Sequence, residues 1–137
     1  MKKIRYLSVE EAQWSHDRIL ELTGGERGDL AKANLEFALE KVKDVGEGLD
    51  REKAVVKKAA FLLYSLVTQH PFINGNKRTA FEVVDAFLEL NGYALKAKTD
   101  EVYTILSDLG ASKLSQMQVE DWIVTNLAEG RRRSRGR

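Results

Sequence analysis

The side chains best suited to chemistry are concentrated in one short stretch, QHPFINGNKRTAF, at residues 69–81. This stretch contains His70, one of only two histidines, and the single proline of the chain, and it continues with Gly-Asn-Lys-Arg at 75–78. Long apolar segments on both sides predict two central helices, so the stretch is expected to connect them as antiparallel neighbours. The question is what chemistry such a connection could carry.

The second of these helices is predicted to begin near Lys77, and a helix start offers free backbone N–H groups and the positive end of the dipole. Such a start is an anion site. Gly75 permits a positive φ or a close approach of the backbone, and Asn76 can both donate and accept hydrogen bonds. Lys77 and Arg78 add positive charge, and the arginine fork matches phosphate oxygens.

His70 stands at the other side of the same connection, and its neutral imidazole is a candidate general base near neutral pH. A base beside an anion site suits the transfer of a phosphate-containing group, which depends mostly on positioning and electrostatics. The P-loop pattern G-x-x-x-x-G-K-[ST] is absent. The alternative for His70 is a dipole-compensating cap at the end of the preceding helix. Phe72 is predicted to anchor the connection in the core.

Composition restricts the class of protein. The chain has 137 residues, 43% hydrophobic and 31% charged, which is typical of one globular domain. There is no cysteine, which excludes disulfides, thiolate metal sites and a cysteine nucleophile. His16 and His70 are too far apart in sequence for a conventional zinc motif. The basic start lacks the apolar stretch of a signal peptide, and the longest apolar run, at 59–67, is too short to cross a bilayer. We therefore expect a soluble, cytoplasmic protein without a membrane partner.

Charge is divided unevenly along the chain. Five of the 22 basic residues lie in the tail RRRSRGR at 131–137, which leaves 17 against 21 acidic residues and a net charge of −4 for the rest. Such a body is not expected to bind nucleic acid. The tail could contact nucleic acid or an acidic partner, or it could be a solvated terminus.

Helical periodicity predicts an all-α fold, a compact bundle of about six helices, near 9–22, 30–43, 51–69, 77–91, 99–109 and 119–127. Ser8 with Glu11 forms a capping box before the first helix, and Asp29 is the expected cap of the second. The glycine-rich stretch at 44–50 predicts either a plain loop or a short β-hairpin. One domain is predicted over 1–130, followed by the basic tail at 131–137.

The motif HPFINGNKRTA resembles the signature of the Fic/Doc family, whose Fic form reads H-x-F-x-[DE]-G-N-G-R-x-x-R and whose Doc (death-on-curing) branch has N-K-R. The chain is similar to the Doc branch, and LEFAL at 35–39 resembles the L-E-x-A-L stretch ahead of the family's flap. The resemblance implies a compact helical fold and, for the Doc branch, transfer of phosphate from ATP to a hydroxyl of a protein, with elongation factor Tu as the known target. It also implies a growth-arresting toxin that a small antitoxin holds inactive. The alternatives are AMP transfer, as in Fic proteins, or a catalytically weak member that binds nucleotide or a partner.

By the same resemblance, His70 would be the general base, Gly75, Asn76, Lys77 and Arg78 would hold the nucleotide phosphates, and 41–49 would be the flap. Asn74 stands where the family has an acid for Mg²⁺, which prefers carboxylate and phosphate ligands, so metal affinity is expected to fall. Phe81 replaces the last arginine of the Fic pattern, which favours the Doc mode over AMP transfer. TNLAEG at 125–130 matches the letters of the family's self-inhibiting pattern. It is predicted to lie at the end of the last helix of the core, however, so an antitoxin is the favoured regulator.

Overall fold

The computed structural model describes residues 2–130. It contains six α-helices and one short antiparallel sheet of two strands, which confirms the all-α fold with about six helices. The elements are α1 (Val9–Thr23), α2 (Lys32–Lys41), α3 (Arg51–Thr68), α4 (Asn76–Leu90), β1 (Tyr93–Leu95), α5 (Thr99–Gly110), α6 (Gln116–Asn126) and β2 (Leu127–Glu129).

Helix α3 lies at the centre and contacts α2, α4, α5 and α6. Its apolar residues cover more than one face, so the helix can be enclosed on several sides. Ten of its residues are buried, and the adjoining α4 buries Val83, Val84, Phe87 and Leu88 against the same core. The loop at 69–75 joins these two central helices, as the apolar pattern predicted, so the loop lies at one end of the buried helix pair.

Two helix starts show how local sequence fixes the fold. In the capping box of α1, the hydroxyl of Ser8 accepts from the Glu11 N–H at 3.1 Å and the Glu11 carboxylate accepts from the Ser8 N–H at 2.8 Å. Helix α2, by contrast, does not begin behind Asp29 but at Lys32. The backbone from Asp29 to Ala31 pairs instead with the loop at 71–72, because tertiary hydrogen bonds there replace the expected cap.

The glycine-rich stretch after α2 is a loop and not a hairpin. A 3₁₀ turn at Val42–Asp44 continues from α2, and Gly46 and Gly48 follow with φ of 76° and 87°. The ammonium of Lys58, only 3% exposed, donates to the carbonyls of residues 42, 43 and 45 at 3.1, 3.1 and 2.7 Å. Carbonyls turned toward one cation cannot form the alternating ladder of a hairpin.

The two strands of the sheet come from other segments. Strand β1 follows α4 and pairs with β2, which follows α6, in the register Tyr93–Glu129, Ala94–Ala128 and Leu95–Leu127. The sheet therefore closes the bundle at the C-terminal end of α4, the end opposite the loop at 69–75. Among the helices of residues 2–130, none is long and apolar enough to cross a membrane. The arginine-rich tail at 131–137 lies outside the described residues.

One carboxyl group on α4 should make stability depend on pH. Asp85 is exposed overall, but desolvation of its carboxyl group, followed by the charges of Glu82 and Glu89, raises its pKa above the ordinary value. The folded protein therefore binds this proton more tightly than the unfolded chain, and stability falls as pH rises through the interval between the two pKa values. Asp85→Asn should raise the melting temperature at pH 7, and the gain should shrink as the pH approaches 3. Thermal melts of this variant and of Asp121→Asn, the same change at another exposed aspartate, on α6, test this, and equal shifts would contradict it.

Candidate active site

His70 is the first residue of the loop after the C-cap of α3, and its backbone is unusual. Its φ is +46°, a left-handed conformation that is rare among non-glycine residues. Where it does occur, it is often found at functional sites. The side chain is exposed, and Nδ1 lies 3.2 Å from the carbonyl oxygen of Thr68. A carbonyl oxygen can only accept, so this contact requires the proton on Nδ1. In the neutral ring, Nε2 then carries a lone pair that can take a proton.

The next part of the loop is closed by the side chain of Asn76. Its Oδ1 accepts from the Phe72 N–H at 2.9 Å and its Nδ2 donates to the Phe72 carbonyl at 2.8 Å. Phe72 itself is 2% exposed and stacks on the ring of His16, with centroids 3.7 Å apart and planes inclined by 8°. Both amide atoms of Asn76 thus hold the loop, so its backbone N–H, at the start of α4, is the group left to face an anion.

Gly75 is the N-cap of α4, with φ 80° and ψ 17°. A β-carbon added there would meet His16 and Leu20 only at 3.5 Å or more, so glycine is favoured by the positive φ and not by lack of space. No acidic side chain stands in the first turn of α4. Lys77 and Arg78 are both exposed in that turn, and the dipole and both cations therefore favour an anion at this helix start.

Arg78 already has a neighbour on α5. Its Nη2 donates to the hydroxyl of Tyr103 at 3.0 Å, and its guanidinium carbon lies 5.9 Å from the centre of that ring. The partner is neutral, so the positive charge of Arg78 is oriented and not neutralised. A planar guanidinium keeps further N–H donors for a fork-shaped contact to phosphate.

Asn74, the residue in the position of the family acid, is engaged within the protein. Its Oδ1 accepts from the Glu26 N–H at 2.6 Å, and its backbone carbonyl lies 2.8 Å from Nε2 of His16. The oxygen that could face a cation is therefore turned toward a backbone N–H. Within residues 2–130, no group of three or more acids and histidines is arranged to hold a metal. The donor set of this loop does not fit a magnesium ion held by the protein.

A second segment, at 24–31, lies against the loop. The N–H groups of Leu30 and Ala31 donate to the Pro71 carbonyl at 2.9 and 3.0 Å, and the Ile73 N–H donates to the Gly28 carbonyl at 3.1 Å. Asp29 and Phe72 form an isolated antiparallel bridge. The backbone beside the candidate site is thus the connection between α1 and α2.

The segment at 41–49, predicted as the flap, lies elsewhere. Its Gly46 packs against the backbone of Ala54, in the first turn of α3. Ala54 and Thr68, at the loop end of α3, are 14 residues apart, which corresponds to about 21 Å along a helix. The prediction that 41–49 flanks the site is therefore wrong. It failed because the L-E-x-A-L resemblance fixed an order along the chain, whereas contacts with Ala54 and Lys58 hold this stretch beside the first half of α3.

Two other sequence features lie away from the loop's polar groups. Phe81 packs against the core, so its position supplies no cation to the site. In TNLAEG, Thr125 donates to the Asp121 carbonyl within α6, and Glu129 pairs with Tyr93 in the sheet. That sheet follows α4, a helix of 15 residues and about 22 Å, so Glu129 is remote from Gly75.

His16 is the site residue that the motif did not point to. It lies in α1, is 3% exposed, and touches both Phe72 and Asn74. The signal was present in the helical spacing, since His16 follows Ala12 by four residues and precedes Ile19 by three, on the face that α1 buries. A histidine on a buried face must satisfy its ring nitrogens inside the protein.

The structure combines six helices with an H-x-F loop that an asparagine closes and that leads into a cationic helix start. This combination defines a class of protein. The family model described as the Fic/DOC family matches residues 6–88, more than half of the chain, and the chain belongs to that family. It is also similar to Toxin Doc of Mycolicibacterium smegmatis, with 43% identity over 53 residues, 39% of this chain. The matched part is 41% of that relative's length.

Proposed function

We propose that this chain is a Doc-like toxin that transfers the γ-phosphate of ATP to a hydroxyl of a target protein and thereby arrests growth. The observation that carries the proposal is a pair of features joined by one seven-residue connection. These are the exposed imidazole of His70, with a free Nε2, near the end of α3 and a start of α4 that bears two cations. Similarity to a protein named Toxin Doc supports the toxin role. The Doc form of the motif supports phosphate as the transferred group.

The reaction follows from these groups. The target hydroxyl oxygen forms a bond to the γ-phosphorus while the bond from that phosphorus to the bridging oxygen of ADP breaks. The hydroxyl proton passes to Nε2 of His70, and ADP leaves with the electron pair of the broken bond. The N–H groups at the start of α4, with Lys77 and Arg78, stabilise the charge on the phosphate oxygens. Because Asn74 is engaged with Glu26, Mg²⁺ enters only as part of the nucleotide substrate.

The partners follow from the same proposal. A translation factor is the expected target, and a small antitoxin protein is the expected inhibitor, because Glu129 is held in the sheet away from the site. The connection at 24–31 is the better candidate for docking a target segment. Its backbone already pairs with residues 71–73 along one side of the loop.

Labelled ATP distinguishes the chemistries. The purified protein, incubated with a bacterial translation extract, should transfer label from the γ position to one protein band and none from the α position. Label arriving only from the α position would overturn phosphate transfer and establish AMP transfer. Phe81 argues against that alternative, because it removes the arginine of the Fic pattern. Absence of label from both positions would favour a member that binds nucleotide without turnover.

Asn74→Asp tests the alternative that the chain binds nucleotide without turnover. Aspartate is isosteric and can still accept from the Glu26 N–H, so the loop should keep its conformation. The new carboxylate should strengthen magnesium-dependent ATP binding by about tenfold, since hard cations prefer charged oxygen ligands. Calorimetric titration with and without Mg²⁺ measures the change. An unchanged magnesium dependence would contradict this assignment of position 74, and transfer that appears only in the variant would identify the natural chain as a weak catalyst.

A further inference from the structure

The buried ring of His16 makes two different contacts with the loop. Its face stacks on Phe72 at a centroid distance of 3.7 Å, and its Nε2 lies 2.8 Å from the carbonyl oxygen of Asn74. The imidazole is 3% exposed, so water does not compete for either contact. His16 therefore connects α1 to the loop at two points, one on each side of Ile73.

The hydrogen bond from His16 to the Asn74 carbonyl determines which ring nitrogen carries the proton and how the Asn74 peptide is oriented. A carbonyl oxygen can only accept, so the proton must be on Nε2 of His16. The Asn74 carbonyl belongs to the peptide that leads into Gly75, the N-cap of α4. Its direction sets the plane of the Gly75 N–H and the entry of the chain into the helix. The ring also borders Gly75 itself, where an added β-carbon would lie 3.6 Å from Cδ2 of His16.

We propose that His16 is a positioning residue of this site, which holds the Asn74 peptide and thereby orients the phosphate-binding start of α4. The inference rests on the proposed function for its catalytic consequence, but its structural part is independent of that function. The hydrogen bond is the orienting contact, while the stack on Phe72 anchors the loop in the core. Positioning of this kind is sensitive, because a displacement of about 1 Å can change a rate about 100-fold.

Two substitutions separate the contacts. His16→Phe retains an aromatic ring against Phe72 but removes the donor. His16→Gln removes the ring but places an amide nitrogen as many bonds from the backbone as Nε2 of histidine. If donation orients the loop, His16→Phe should lower ATP-dependent transfer about 10- to 100-fold, and His16→Gln should recover it to within about threefold of the natural protein.

Amide hydrogen exchange at 74–79 is the matching structural readout, measured below the melting temperature of each variant. Faster exchange at 74–79 in His16→Phe, with slow exchange restored in His16→Gln, supports the proposal. This result would hold even if the natural protein transferred no phosphate, which would count only against the proposed function. The proposal would be overturned if His16→Phe kept the transfer rate and the amide exchange of the natural protein. It would also be overturned if both variants lost transfer to the same extent. Should His16→Phe fail to fold, nitrogen NMR of the natural protein decides: a proton on Nε2 of His16 is required, and its absence refutes the hydrogen bond.

Discussion

His70→Ala is expected to reduce ATP-dependent transfer by about 10²- to 10⁴-fold, the usual contribution of a general base. The side chain is exposed, and within residues 2–130 its single hydrogen bond is the local one to the Thr68 carbonyl, so its removal should leave the fold intact. ATP binding should change little, because the proposed phosphate contacts come from the start of α4. Transfer assays with labelled ATP, together with calorimetric titration, measure the two effects separately.

The neighbouring residue offers a control for this substitution. Gln69 is exposed at the C-cap of α3, one residue before His70, and it contacts Asn34 through its backbone carbonyl, which the change to alanine retains. Gln69→Ala should transfer label at the natural rate. If His70→Ala retained that rate as well, the histidine would be a helix-terminal cap and the general-base role would be wrong.

Lys58→Met is expected to cause the largest loss of stability, about 2–4 kcal/mol in the free energy of unfolding. Methionine keeps an unbranched apolar stem but has no donor for the three carbonyls at 2.7–3.1 Å. These acceptors remain in place and lose their partner, which is costlier than replacing both members of a polar pair. The ammonium also lies 5.4 Å from the centre of the Tyr6 ring, a further contact that methionine cannot reproduce as a cation.

Lys57→Met is the matched control, because it makes the same chemical change one position earlier. Lys57 has a side chain 45% exposed and pairs with Glu120 at 3.0 Å, an exposed ion pair worth at most about 1 kcal/mol. Urea unfolding of the two variants compares the losses directly. Equal losses would show that the buried ammonium adds nothing beyond an ordinary surface charge, and that the turn at 42–45 is held by other contacts.

Much of the fold could be predicted because it follows from local patterns. The six helices follow from apolar spacing of 3.6 residues, and the capping box of Ser8 and Glu11 marks the start of α1. The start of α2 could not be predicted in this way. Asp29 has the side chain of a good cap, but its backbone pairs with Phe72, and sequence spacing does not reveal a contact across 43 residues.

The motif predicted a set of residues for the candidate site but not the contacts among them. The motif predicted a phosphate site made of His70, Gly75, Asn76, Lys77 and Arg78. The structure places the first two in the loop between α3 and α4 and the other three in the first turn of α4. The motif could not show that the Asn76 amide is used by Phe72, or that His16 reaches the loop from α1. Such contacts depend on how helices pack and not on the spacing of residues within one of them.

The most direct test of the account is the intact mass of the target protein after incubation with ATP and either the natural chain or His70→Ala. The translation factor that takes up label is purified from the extract and measured by mass spectrometry. We predict the mass of one phosphoryl group added by the natural chain and no addition by the variant. An added mass of a whole AMP group, or the same phosphoryl addition by both proteins, would contradict the proposed transfer.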